Sequence, residues 1–199
     1  MKEMNRREFL TLTGAAVVAL SLAGCSGGPS APPAPPAAPT GKEAELLAAI
    51  NKVWKEKFDA NQVVHEQLSF NQDAVGTIRA YGRVFENANE TPHTLKDSDN
   101  TIIFGELDGL EDKIRNKYGK DSLAGMAGIS EPSTEREVAL ECKYSCEDTA
   151  VRAFVEELLT SNSNSSKAEY ISLYLPVVQN ETYMTAVVFR DNKTSAPTP

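Results

Sequence analysis

The sequence predicts an α+β domain held between two segments that cannot build a core. Three observations predict it. Helical patterns come first and strand patterns last, in the order helix, helix, helix, strand, helix, hairpin, so strand and helix do not alternate as a doubly wound sheet requires. The apolar periodicity is confined to residues 42–193, a length sufficient for one good core. With 41% hydrophobic and 24% charged residues, the chain has the composition of an ordinary globular domain.

Leu46, Leu47, Ile50, Val53, Trp54 and Phe58 recur at helical spacing and predict an amphipathic helix over 43–58. Asn71 can cap a second helix whose buried face is Val75, Ile78, Tyr81 and Phe85, although Gly76 and Gly82 weaken it. Leu107, Leu110, Ile114 and Tyr118 mark a third helix stopped at Gly119. Val151, Phe154, Val155, Leu158 and Leu159 mark a fourth, starting near Ser145. Val138, Leu140 and Cys142 alternate with polar residues as a half-buried strand does. Residues 171–178 and 182–190 are rich in β-branched and aromatic side chains around Gln179-Asn180-Glu181, which predicts a C-terminal β-hairpin. The polar tail 194–199 is expected to fray.

The first 24 residues read as an export address. Arg6-Arg7-Glu8-Phe9-Leu10 precedes a mild apolar stretch over 14–23, about half the length of a membrane span. That order resembles a twin-arginine signal. Leu22-Ala23-Gly24-Cys25 resembles a lipobox, whose small residues admit the peptidase and whose cysteine thiol receives the lipid. An ordinary basic leader with an incidental cysteine is the plainer reading. Acyl chains contribute about 0.8 kcal/mol per buried methylene, so an acylated Cys25 would hold the protein on the bilayer. No apolar run in the sequence reaches the length of a span. The expected location is the extracytoplasmic face of the cell membrane, with the lipid bilayer as partner through Cys25.

Residues 25–41 follow as a tether. Six of the chain's eleven prolines lie here, with no large apolar side chain after Cys25, so the stretch favours extended polyproline II at about 3.1 Å per residue. A proline-rich ligand is the rival reading, and an extracytoplasmic location argues against it. The formal net charge is -8, so the chain lacks the basic surface that nucleic-acid phosphates demand, and no nucleic-acid partner is expected.

The residues offer little for catalysis. No Gly-x-Ser-x-Gly elbow occurs, and Ser165-Ser166-Lys167 lies in the polar run Ser161-Asn162-Ser163-Asn164-Ser165-Ser166, which reads as a solvated loop. His65-Glu66 begins like a zincin helix, but Ser69 stands where the second histidine is needed. His65, His93, Cys142 and Cys146 have a zinc inventory without a recognised spacing. No metal or cofactor is expected. Cys142 and Cys146, in an exported protein, read first as a structural disulfide, then as free thiols, and third as a redox pair.

Several short stretches, in order, resemble the CAP superfamily (SCP-like: cysteine-rich secretory proteins, antigen 5 and pathogenesis-related proteins). They are Leu46-Leu47-Ala48-Ala49-Ile50-Asn51, then Leu68 in a loop before Arg79-Ala80, then His93-Thr94 with Asp97. Glu147-Asp148-Thr149-Ala150-Val151 at a helix start and the closing hairpin over 183–189 complete the series. The resemblance implies a three-layer α-β-α sandwich over 42–193, ending in the hairpin. It implies a cleft in which two histidines and two glutamates can hold a metal. Here His93 would match the first histidine, and Glu137, or Glu141 instead, one glutamate. The second histidine, of a Gly-His-Arg stretch, would fall near Ser165-Ser166-Lys167, where none exists.

The expected function is therefore a lipid-anchored binding or interaction module at the cell envelope, without catalysis, with an envelope polymer, a lipid or a surface protein as partner. The alternative is a hydrolase, a peptidase or cell-wall enzyme, in which His93 serves as general base beside a glutamate. A bland alternative for His93 is to cap a turn after Pro92.

Overall fold

The computed structural model describes residues 38–94, 109, 111–130 and 137–193. The export segment, Cys25, most of the tether, Asp97, Leu107, Leu110 and the tail 194–199 lie outside the described residues.

Four α-helices occur among the described residues: α1 (Lys42–Asp59), α2 (Val75–Ala88), α3 (111–118) and α4 (Asp148–Thr160). The strands are β1 (Ser69–Phe70), β2 (Pro92–Thr94), β3 (Leu123–Ala127), β4 (Ile129–Ser130), β5 (Glu137–Leu140), β6 (Tyr170–Tyr174), β7 (Val177–Val178), β8 (Glu181–Thr182) and β9 (Thr185–Phe189). The main sheet has the order β1-β6-β9-β3, with β1 parallel to β6 and the other pairs antiparallel. A second sheet, β2-β5-β4, is antiparallel throughout. The architecture is mixed helix and sheet, compatible with an α+β domain.

Helices cover both faces of the main sheet. On one face Leu46, Ile50, Val53 and Trp54 of α1 and Val151, Phe154, Val155 and Leu158 of α4 close over Ile171, Leu173, Ala186 and Val188. On the other, Ile78 and Phe85 of α2 and Ile114 and Tyr118 of α3 meet Val187 and Phe189, with Tyr170 and Tyr174 packed alongside. Side chains alternate across a strand, so the central strand β9 must be apolar on both sides, and all five of its residues are buried. A run of this kind, rather than an alternation, marks a strand covered from both faces.

The terminal hairpin forms where expected, in two stages. β6 pairs with β9, and beyond Pro176 the short β7–β8 pair continues to the tip. Gln179 and Asn180 at the tip both have positive φ (50° and 65°), the geometry whose twist matches that of a two-residue hairpin.

Three boundaries differ from the sequence reading. Asn71 does not cap α2; Ala74 occupies that position, while Asn71 Oδ1 accepts from the Asp73 N–H at 2.9 Å and makes a turn just upstream. α4 starts at Asp148 rather than near Ser145, because Ser145 Oγ accepts from the Glu147 N–H at 3.1 Å outside the helix. The strand containing Val138 and Leu140 ends before Cys142.

α1 also organises the loop that follows it. The Asn51 carboxamide clasps Leu68 on both sides, donating from Nδ2 to the Leu68 carbonyl (3.0 Å) and accepting the Leu68 N–H at Oδ1 (2.8 Å). Trp54, fully buried, donates Nε1–H to the His65 carbonyl at 3.0 Å. These bonds hold the chain in position to enter β1.

Candidate functional site

β3 is an edge strand, and its outward backbone groups would otherwise be open to another chain. They are closed by side chains from the end of α4. Ser165 Oγ donates to the Ala124 carbonyl at 2.6 Å, the Met126 N–H donates to Ser161 Oγ at 3.1 Å, and the Gly128 N–H donates to Glu157 Oε1 at 2.7 Å. The three acceptors and donors recur every second residue along the strand, as the outward set of an edge must. Ser165, read from the sequence as part of a solvated loop, is fully buried. For Ser165 that reading is wrong, because its hydroxyl closes the sheet edge; Ser161, Asn162 and Ser163 are exposed as a solvated loop would have them.

Glycine permits this approach. A Cβ on Gly125 would lie 2.5 Å from Ser161 Oγ and 2.8 Å from the Leu158 carbonyl oxygen. Gly128 has φ +85°, and a Cβ there would sit 1.9 Å from the Met184 carbonyl oxygen. The sequence over 122–130 is rich in Ala and Gly, which have low strand propensity, and for that reason no strand is legible there. Small residues are required because α4 and the chain around Met184 come so near.

Above β3 lies a pocket of about 460 Å³. α2 contributes Thr77 and Tyr81 to its wall, one helical turn apart, and α3 contributes Glu111 and Arg115. Leu123, Gly125 and Met126 form the β3 side, and Ser161, Asn162 and Asn164 the opposite rim. Thr77 is 2% exposed, and its Oγ1 has no hydrogen-bond partner. Arg115 is already committed, with Glu111 at 2.7 Å and Asp112 at 3.5 Å. Ser161 Oγ donates to the Leu158 carbonyl at 2.9 Å while accepting from Met126, so its hydroxyl is held by the fold rather than poised as a nucleophile.

The site residues expected from the sequence stand elsewhere. His93 pairs with Val138 in the β2–β5 ladder, one position from Glu137, so the pleat turns His93 and Glu137 to opposite faces of that sheet. His93 Nδ1 is buried without a hydrogen bond and lies 4.0 Å from Glu90 Oε2. Glu141 accepts a hydrogen bond from Ser130 Oγ. None of the three is among the residues that line this pocket. Among the described residues no group of three or more His, Cys, Asp or Glu converges as a metal site would need. His65, partly exposed, lies in the loop after α1, its carbonyl taken by Trp54.

Cys142 and Cys146 are both free, so the disulfide expected between them is not present in this structure. The two thiols are turned to different partners. Cys142, partly buried, faces Glu157 Oε2 at 3.5 Å, while the exposed Cys146 faces the Tyr144 hydroxyl at 3.4 Å. Burial, with the charges of Glu157 and Glu141, pushes the Cys142 thiol up to about 12. It is a protonated group at physiological pH and a poor nucleophile.

Comparison of the chain with family models, with curated proteins and with solved structures finds no match. No residue role is therefore inherited, and the site rests on its geometry. The sequence carried one signal that pointed to it: Thr77 interrupts the apolar face of α2, between Val75 and Ile78.

Proposed function

We propose that this chain is a lipid-anchored, extracytoplasmic binding module at the cell envelope, a three-layer α-β-α sandwich of CAP type whose working site is the pocket over β3. One observation carries the reading: the pocket opens where β3 meets Ser161, Asn162 and Asn164, the stretch leading into the segment that the resemblance assigns to the cleft. β3 is bonded to this stretch directly, the Met126 N–H donating to Ser161 Oγ at 3.1 Å.

Two further features agree. Asn51 of the Leu-Leu-x-x-Ile-Asn stretch clasps Leu68, so two separate pieces of the resemblance meet in space. Helices over both sheet faces suit an α-β-α sandwich. The lining joins polar side chains to Tyr81, Leu123 and Met126, a setting suited to holding a ligand. The hydrolase alternative draws less from the geometry, since Glu137 is turned away from His93 and the carboxylate beside it among the described residues is the exposed Glu90.

The partner is an envelope component, a polymer, a lipid or a surface protein, with the acylated Cys25 as the hold on the bilayer. Two variants of the full chain test this. Cys25→Ala should move the protein from the membrane fraction to the soluble fraction and abolish incorporation of labelled fatty acid. Met126→Trp, which fills the pocket, should leave fractionation unchanged and abolish retention on purified, delipidated envelope fragments. Unaltered retention by Met126→Trp would rule out the pocket.

A further inference from the structure

We infer that the flank of α2 carrying Arg79 and Arg83 docks the domain on the phosphate groups of anionic lipids in the bilayer. The inference rests on the chain being held at that bilayer, and it assigns a surface separate from the pocket.

The two arginines stand one helical turn apart on α2, and both are exposed. At about 100° per residue they fall on the flank of the helix opposite Thr77 and Tyr81, with Ile78 and Phe85 turned to the core between the two flanks. Tyr174 of β6 holds them in place. Its ring lies directly on Gly82, where a Cβ would come 2.5 Å from it, and its hydroxyl donates to Glu86 Oε2 at 2.8 Å. Arg79 Cζ sits 5.5 Å from the ring centroid, and Arg83 lies beside the hydroxyl. A guanidinium stacked by its face keeps its N–H edge open, and that edge is the one that pairs with phosphate oxygens.

Neither arginine has an ion-pair partner among the described residues, whereas Arg115 and Arg152 each hold two carboxylates. Glu86, close by on the same helix, is committed to the Tyr174 hydroxyl and the Val177 N–H. Like charges one turn apart disfavour a helix, so two arginines left unpaired in a chain with 28 acidic residues mark this flank for an outside anion. Place and charge decide which anion. Glu43, the second residue of α1 and two past Gly41 at the end of the tether, lies near enough for Arg79 to oppose the rise that burial imposes on its carboxyl. The arginines therefore stand close to where the tether enters the domain. A chain of net charge -8 is repelled from an anionic surface on its other faces, so this flank is the one that approaches. Two arginines alone hold weakly, but a tethered domain meets the bilayer at high effective concentration.

The test uses the acylated full chain reconstituted in vesicles of phosphatidylcholine, or of an equal mixture with phosphatidylglycerol. Trp54, the chain's single tryptophan, is the donor for energy transfer to a dansyl-labelled headgroup lipid. Transfer should be higher in the anionic vesicles and should fall to the phosphatidylcholine level at high salt. In the double variant Arg79→Gln, Arg83→Gln the ratio of docked to undocked domain should drop about thirtyfold, about fivefold for each arginine. Its thermal midpoint should hold, because both side chains are exposed. Equal transfer in the two kinds of vesicle, or a rise that the double variant keeps, overturns the inference. If the double variant instead loses retention on delipidated envelope fragments while transfer is unchanged, the arginines serve an anionic polymer and the lipid assignment falls. A chain that floats with neither kind of vesicle overturns the bilayer anchor and the docking together, while Met126→Trp reads the pocket independently.

Discussion

Ser165 Oγ donates to the Ala124 carbonyl at 2.6 Å, joining the short 3-10 turn after α4 to the edge of the main sheet. Both partners are fully buried. The bond closes an outward carbonyl of β3 and buries Ser165, while Ser161, Asn162 and Ser163 of the same polar run stay exposed.

Ser165→Ala leaves the Ala124 carbonyl buried without a partner and should cost about 1–3 kcal/mol. Its neighbour Ser166 is partly exposed, and Ser166→Ala should change stability by no more than about 0.5 kcal/mol. Urea unfolding of the two variants checks the contrast. Equal effects would mean that Ser165 seals nothing.

Gly125 and Gly128 should respond unequally to alanine. At Gly125 the new methyl meets two serine hydroxyls and the Leu158 carbonyl, so the end of α4 must shift, at about 1–3 kcal/mol. At Gly128 the methyl would collide with the Met184 backbone from a residue already at positive φ. Gly128→Ala should fail to give a cooperative thermal transition, whereas Gly125→Ala should give one at lower temperature.

The two cysteines of the domain should differ in reactivity. Burial and the neighbouring Glu157 hold the Cys142 thiol protonated, whereas Cys146 is exposed. Iodoacetamide at pH 8 should therefore modify Cys146 in the folded protein and reach Cys142 only after unfolding, as peptide mass mapping would report. The same shift makes stability fall as pH rises above about 8.5, where the unfolded thiol ionises and the folded one does not.

Asp73 joins the start of α2 to α3, accepting from Lys117 Nζ and from the Tyr118 hydroxyl. Burial pushes its carboxyl up, but these two hydrogen bonds outweigh burial and hold it below its ordinary value. A depressed value stabilises the fold above the unfolded value of about 3.9, and that contribution is lost as pH falls through the folded value. Asp73→Asn should cost about 1 kcal/mol at pH 6. Denaturation at pH 6 and again near pH 2.5 should show the gap between variant and parent closing.

The helices were legible because their apolar residues recur at a spacing that any amphipathic helix must show. α1 and α4 follow the pattern of Leu46, Ile50, Val53 and Trp54, and of Val151, Phe154, Val155 and Leu158. The hairpin was legible for the same reason, in β-branched and aromatic runs around a turn. β3 was not, since Ala124, Gly125, Ala127 and Gly128 are chosen for the closeness of α4 and of Met184, a distant requirement that leaves no local period.

Sequence alone determined the order of the helices and of the closing hairpin, the α+β class and the apolar faces of the helices, because periodicity and turn chemistry are local properties of the chain; it did not place β1, β2, β3 or β4. Tertiary structure alone decided the site. Which face of a ladder receives His93, that Ser165 is a buried seal and that α2, α3 and β3 together line a pocket all depend on contacts between residues far apart in sequence. A polar side chain reads the same in sequence whether water or a distant backbone group satisfies it, and only packing decides which.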